Sequence, residues 1–123
     1  MKTVAIIGAS NNRSKFGNKS VRAHQDEGWK VFPVNINEEE IEGLKVYKSI
    51  LDITEKIDRV SVYLPPAVGM KVIDDLAKVK ASEVFFNPGS EDDELVDKAK
   101  ELGISPVLAC SIVNIGRSPS DYN

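Results

Sequence analysis

A glycine-containing turn followed by a group of cations near the amino terminus is the part of the sequence best suited to chemistry. The turn consists of Gly8, Ala9, Ser10 and Asn11, and the cations that follow it are Arg13, Lys15 and Lys19. Glycine lets a ligand approach the backbone, and N–H groups at the start of a helix attract phosphate. Residues 1–25 carry five basic side chains and no acidic one, in a chain of net charge −3. The segment predicts a small anionic ligand, with a chance cluster on a solvated face as the alternative.

Turn-forming residues also follow three other predicted strands. They are Pro33, Val34 and Asn35 at the second strand, Tyr63, Leu64, Pro65 and Pro66 at the third, and Asn87, Pro88 and Gly89 at the fourth. Each group taken alone is explained by ordinary turn chemistry. Because the carboxyl ends of parallel strands lie at one edge of a sheet, where ligands bind, we expect all three groups to join the basic turn in one site.

The single cysteine and the single histidine are the remaining candidates for chemistry. Cys110 follows the fifth predicted strand, where its thiol could exchange with a disulfide or accept an acyl group. We favour the simpler interpretation, a small buried residue that closes the core. His24 lies within a predicted helix without an identifiable orienting partner, so we interpret it as structural. One histidine and one distant cysteine do not form a metal site, and we expect no metal and no catalytic set.

Strand and helix patterns alternate along the chain. The predicted strands are Val4 to Ile7, Lys30 to Val34, Arg59 to Leu64, Glu83 to Phe86 and Pro106 to Ala109. The first predicted helix spans 17–27 and the second begins at Pro66. The third begins after a capping box formed by Ser90 and Asp93. A short helix or turn is expected at 50–53. This alternation predicts an α/β fold of Rossmann-like type, with about five parallel strands and helices on both faces in three layers.

Composition sets the remaining limits. The 123 residues suffice for one domain, which we place at 1–115, and the polar residues 116–123 are expected to form a loose tail. No apolar run approaches the ~20 residues that cross a bilayer, the first residues do not resemble a secretory signal, and one cysteine cannot form an internal disulfide. We therefore expect a cytoplasmic protein with no membrane partner. Net acidity argues against nucleic acid, and small domains of this type often form homodimers, which we also expect here.

Dinucleotides are the competing ligands for such a fold. The NAD fingerprint has three glycines and an acidic residue after the second strand. Here only Gly8 is present, and the second strand is followed by Asn35 and Asn37, with no carboxylate before Glu38. Both departures disfavour NAD, whereas NADP, which carries an extra phosphate, stays open.

The ordered set of motifs resembles a known family. Its carriers are the segments 4–10, 28–35, 61–66, 84–90, 103–104 and 109–113. The chain is similar, from Val4 to about Val113, to small stand-alone CoA-binding proteins, whose domain resembles the amino-terminal domain of the succinyl-CoA synthetase alpha subunit. The resemblance implies that residues 8–11 bind phosphate, 33–35 lie beside the adenosine, 63–66 cover the ligand and 87–89 lie near the pantetheine arm.

Two departures from the synthetases limit what the resemblance implies. A lysine follows the second-strand proline there, whereas Asn35 and Asn37 stand here, so Lys15 or Lys19 must supply the charge. The phosphohistidine domain of the synthetases is absent, so ligase activity is not implied. The sequence thus predicts a protein that binds coenzyme A or an acyl-CoA without catalysis of its own. The alternatives are an NADP-binding module, a small enzyme that uses Cys110 on a CoA thioester or disulfide, and an interaction domain with an empty site.

Overall fold

Five parallel strands form the centre of the protein. The computed structural model describes residues 1–123. The strands of this sheet are β1 (Thr3–Ile7), β2 (Lys30–Val34), β5 (Arg59–Val62), β6 (Glu83–Phe86) and β7 (Pro106–Leu108). Their spatial order is β2-β1-β5-β6-β7. The strand order reverses at β1, so the carboxyl end of β1 is the switch point at which open α/β sheets bind ligands.

Helices cover both faces of this sheet. They are α1 (Phe16–Asp26), α2 (Pro66–Val79), α3 (Asp93–Glu101) and α4 (Ser111–Asn114). Side chains of β1 alternate between two cores: Ala5 and Ile7 join the core under α2 and α3, whereas Val4 and Ile6 pack with Val21 of α1. Burial on both faces explains why β1 is continuously apolar. The predicted α/β fold with a five-stranded parallel sheet is confirmed. No helix combines the length and the apolar character needed to span a bilayer.

The start of α3 differs from the predicted capping box. The Asp92 carboxylate accepts a hydrogen bond from the Leu95 N–H at 2.8 Å and caps the helix. Ser90 belongs to the preceding turn, where its N–H donates to the Asn87 carbonyl at 2.8 Å. Asp92 lies three residues before Leu95, whose N–H needs an acceptor, whereas Ser90 lies too early in the chain to cap this N–H.

The segment between β2 and β5 contains a small hairpin that sequence patterns did not predict. Its strands are β3 (Glu40–Ile41) and β4 (Leu44–Lys45), joined by Glu42 and Gly43, which both have positive φ. A 3₁₀ turn follows at Ile50–Asp52, where we expected a short helix or turn. Strands of two residues are too short to show an alternating pattern, so only the pairing reveals them.

The carboxyl-terminal residues are packed against α1, where we expected a loose tail. A 3₁₀ turn covers Pro119–Tyr122, and Tyr122 is only 7% exposed. The Tyr122 ring packs with Ala23 of α1 and Ile112 of α4. One buried aromatic side chain thus holds a segment whose overall composition is polar.

Candidate functional site

Two adjoining cavities open at the carboxyl edge of the sheet. The main cavity has a volume of about 950 Å³, and residues that follow β1, β5, β6 and β7 all contribute to its walls. The side cavity, of about 260 Å³, lies between the end of β2 and α2. Both are lined by Gly8, Asn35 and Leu64, so together they form one cleft across the edge. Ligand sites of small molecules are concave clefts of this size.

Two glycines bring the turn after β1 into direct contact with its neighbours. Gly8 has a φ of +87°, and a Cβ there would overlap the carbonyl oxygen of Tyr63. A Cβ at Gly17 would overlap the carbonyl oxygen of Gly8. The first turn of α1 therefore packs on the 8–11 turn, which in turn packs on the loop after β5, an arrangement that only glycine permits.

This close packing leaves four backbone donors free around the main cavity. The residues are Ala9, Ser10, Phe16 and Gly17, which all line the cavity, and their N–H groups find no acceptor within the chain. No side chain caps α1, whose N-cap residue is Lys15. Free N–H groups at a helix start, with the partial positive charge of the helix dipole, are suited to a phosphate.

The cations predicted to join this site separate in the structure. Lys15 is exposed and lines the main cavity. Arg13 forms an ion pair with Glu42 at 3.4 Å, and the buried Lys19 donates through Nζ to the Asn123 side chain at 2.8 Å. Only Lys15 of the three therefore contributes charge to the cleft.

Lys48 is a cation of the cleft that sequence reasoning missed. It lines the side cavity, and its Nζ donates to the Ile36 carbonyl at 3.3 Å, directly beyond the end of β2. Tyr47 pairs with Val34 in an isolated bridge, which carries the following lysine to this edge. The only signal in the sequence is a lysine after an aromatic residue, which does not indicate a site.

A buried polar network supports the floor of the main cavity. The Tyr63 hydroxyl lies 2.9 Å from the Ser111 Oγ, which lies 2.6 Å from the Ser61 Oγ. Asn87 donates to Ser61 at 2.9 Å and accepts from the Ser111 N–H at 2.8 Å. Burial raises the pKa of Tyr63, so its phenol stays protonated at neutral pH. Ser61 and Ser111 were not among the predicted site residues; for Ser61, a serine inside an apolar strand was the available signal.

The other predicted residues divide between the cleft and its surroundings. Those that line the cleft are Gly8, Ala9, Ser10, Val34, Asn35, Tyr63, Leu64, Pro65, Asn87, Pro88 and Gly89. Three lie outside it. Asn11 donates through its amide to the Glu38 side chain at 2.6 Å, Pro33 is buried within β2, and Pro66 begins α2.

Cys110 is half-buried and lines the main cavity, between β7 and α4. Our favoured interpretation placed it inside the core instead. The fifth strand ends at Leu108, earlier than its apolar pattern suggested, and the chain then turns along the cavity wall. Cys110 thus borders the cleft and also packs against the buried cluster of Ala23, Ile112 and Tyr122.

His24 lies away from the cleft and is fully buried between α1 and the sheet. Its Nδ1 lies 2.8 Å from the Ser20 carbonyl, its Nε2 has no hydrogen-bond partner, and its ring meets Trp29 edge to face. Burial lowers the pKa of His24 from 6.5 to about 4; the Ser20 carbonyl opposes this shift and Arg59 adds to it. The structural interpretation of this residue fits its surroundings.

This histidine predicts a loss of stability in acid. Because its folded pKa of about 4 is below the ordinary 6.5, the unfolded chain binds the proton more readily. The contribution of neutral His24 to the free energy of unfolding is complete above pH 6.5, and it falls by about 3 kcal/mol as the pH drops to 4. We expect the free energy of unfolding of the protein to lose this amount relative to His24→Gln between pH 7.5 and pH 4, measured by urea denaturation. Parallel pH profiles for the two proteins would contradict the prediction.

Comparison with known proteins gives the family. A family model described as a CoA binding domain matches residues 2–116. The alpha subunit of an ADP-forming acetate–CoA ligase II from Pyrococcus furiosus is 42% identical over an alignment of 133 positions that covers 98% of this chain and 28% of that protein. An ADP-forming acetate–CoA ligase from Methanocaldococcus jannaschii is 37% identical over an alignment of 105 positions that covers 82% of this chain and 15% of that protein. The chain thus spans less than a third of these curated relatives.

Solved structures agree with this relationship. A conserved hypothetical protein from Pyrococcus furiosus has a TM-score of 0.84 at 31% identity, covering 93% of this chain and 99% of that chain. A dinucleotide-forming acetyl-coenzyme A synthetase 1 from Ca. Korarchaeum cryptofilum, in complex with phosphate and ADP, has a TM-score of 0.76 at 29% identity, with 88% and 25% covered. The resemblance noted from the sequence motifs is confirmed: this chain belongs to the family of CoA binding domains.

Proposed function

We propose that this protein binds coenzyme A or an acyl-CoA along the cleft and performs no catalysis of its own. The observation that carries the proposal is the set of four residues with free N–H groups that line the main cavity together with Lys15, in a member of the CoA binding domain family. These donors and this charge match a pyrophosphate, the group that joins the adenosine of CoA to its pantetheine arm.

The shape of the cleft suggests how the ligand lies. The pyrophosphate rests against residues 8–10 and the start of α1. The adenosine extends toward the side cavity, whose walls include the apolar side chains of Val34, Leu64 and Val68. The pantetheine arm runs the other way through the main cavity, over Tyr63 and toward Cys110. Apolar walls with a few polar groups suit both ends of this ligand.

The test is calorimetric titration of the protein with CoA, dephospho-CoA and NADP at moderate salt. We expect CoA to bind with a micromolar dissociation constant, dephospho-CoA to bind more weakly because it lacks the 3′-phosphate, and NADP to give little heat. No CoA heat from a folded and empty protein would overturn the proposal. Tighter binding of NADP than of CoA would replace it with the dinucleotide alternative.

Thiol chemistry at Cys110 is a second candidate, favoured by the position of this residue in the cavity wall. Its thiolate would attack a CoA disulfide, forming a mixed disulfide with one CoA and releasing the other as a thiol. Mass spectrometry after incubation with CoA disulfide, with Cys110→Ala as the control, separates the two candidates. An adduct on the unmodified chain favours exchange, and an unchanged mass favours reversible binding alone.

A further inference from the structure

The carboxyl-terminal segment, defined as residues 117–123, reaches the main cavity although the family match ends at residue 116. Pro119 lines this cavity, as Val113 and Cys110 also do. It does not line the side cavity, which lies at the end of β2. The segment therefore borders the main cavity and not the side cavity.

Two contacts fix the carboxyl-terminal segment on α1. The Tyr122 hydroxyl donates to the Asp26 carboxylate at 2.8 Å, and Arg117 donates through Nε to Glu27 at 2.7 Å. A capping box within the segment, made by Ser118 and Asp121, sets its 3₁₀ turn. The position of Pro119 is thus determined by side chains of the same chain.

Arg22 connects this segment with the turn that faces the cavity. Its Nη2 donates to the Tyr122 carbonyl at 2.7 Å and to the Arg13 carbonyl at 2.9 Å, while its Nε donates to the Asn18 side chain at 2.8 Å. Asn18 in turn donates to the Ser10 carbonyl at 2.9 Å. One guanidinium therefore holds the segment and the phosphate-facing turn in a single network, as its planar set of donors allows.

Lys19 also holds the carboxyl-terminal segment. Its Nζ donates to the Asn123 side chain, although Lys19 lies in the basic part of the chain. Arg22 and Lys19 are thus two of the five cations in residues 1–25, and both are used within the protein rather than at the cleft. Their hydrogen bonds to the Tyr122 carbonyl and to the Asn123 side chain hold the segment on α1.

We infer that Pro119 of the carboxyl-terminal segment forms a wall of the CoA site and contacts the pantetheine or acyl part of the ligand, and that Arg22 is a positioning residue for this segment and for the phosphate-binding turn. The inference rests on the proposed function. According to this inference, the preference for one acyl group over another on the CoA thiol depends on a residue outside the segment that the family model matches. The adenosine end does not depend on Pro119.

The experiment compares Pro119→Trp with the matched control Ser120→Trp. Ser120 is the next residue along the chain, but it is exposed and does not line the cavity. Each protein is titrated with CoA and with adenosine 3′,5′-bisphosphate, which lacks the pantetheine arm. We expect Pro119→Trp to weaken CoA at least about tenfold and to leave the bisphosphate within about twofold, because a bulky ring fills the pantetheine path. Ser120→Trp should change neither ligand.

Arg22→Gln provides the second arm, with hydrogen exchange as its readout. We expect the hydrogen-bonded amides of Asn12 and Ser14 and those of Arg117 and Asp121 to exchange faster together, and both ligands to bind more weakly. Equal CoA affinity in Pro119→Trp and Ser120→Trp would overturn the wall, and faster exchange in only one of the two segments would overturn the positioning role. Failure of the proposed function is distinct, since the unmodified protein would then give no CoA heat.

Discussion

Gly8→Ala is expected to lower the free energy of unfolding by about 3 kcal/mol and to remove CoA binding. A non-glycine residue at a φ of +87° is strained by about 1–2 kcal/mol. The new Cβ also overlaps the Tyr63 carbonyl and lies 3.0 Å from the Leu64 side chain, and the backbone cannot yield as a flexible side chain would. Because the turn must move to relieve this overlap, its free N–H groups leave their places. Urea denaturation and CoA titration measure the two effects.

Gly28→Ala is the matched control for this substitution. Gly28 also has a positive φ, +81°, but a Cβ there would meet nothing within 4 Å. We expect a cost of only about 1 kcal/mol, from backbone strain alone, and unchanged CoA affinity. Equal losses of stability in the two variants would show that close packing of the turn on the loop after β5 does not contribute to stability.

Lys48→Ala is expected to weaken CoA about tenfold while leaving dephospho-CoA unchanged, because Lys48 lines the side cavity, where we propose that the adenosine and its 3′-phosphate lie. Lys15→Ala is expected to weaken both ligands by a similar factor, since Lys15 lines the main cavity together with the residues whose free N–H groups we propose as pyrophosphate donors. The measurement is calorimetric titration of each variant with both ligands.

Lys71→Ala, an exposed lysine of α2 outside the cleft, serves as the control for net charge. It should leave both affinities within about twofold, since exposed charges at a distance are screened by salt. If Lys48→Ala weakens CoA and dephospho-CoA equally, the 3′-phosphate does not lie at Lys48. Lower salt should enlarge the effects of Lys15→Ala and Lys48→Ala but not that of Lys71→Ala.

The sheet was predictable because its determinants are local. The apolar run at 4–7, ending at Gly8, has the pattern of a strand buried on both faces, and the structure places it at the centre. The alternation of strands with helical segments then allows few topologies. Pro66 at the start of α2 was likewise predicted from its missing N–H.

Which polar residues face the cleft was less predictable, since that depends on partners far away in sequence. Lys15 and Lys19 look alike in the sequence, yet Lys19 is held by Asn123, more than a hundred positions away. Lys48 reaches the cleft only because Tyr47 pairs with β2. Such pairings follow from the packing of elements, which single-residue properties do not encode.

The sequence by itself therefore determined the type of sheet, the edge at which the cleft opens and the family of the domain, because periodicity, turn residues and motif order are properties of short segments. The tertiary structure alone decided which cations line the cleft, that Cys110 lines the main cavity, and that Pro119 does so as well. The physical reason is that a charged or polar side chain takes the nearest partner that the folded chain offers, and this partner is known only once distant segments meet.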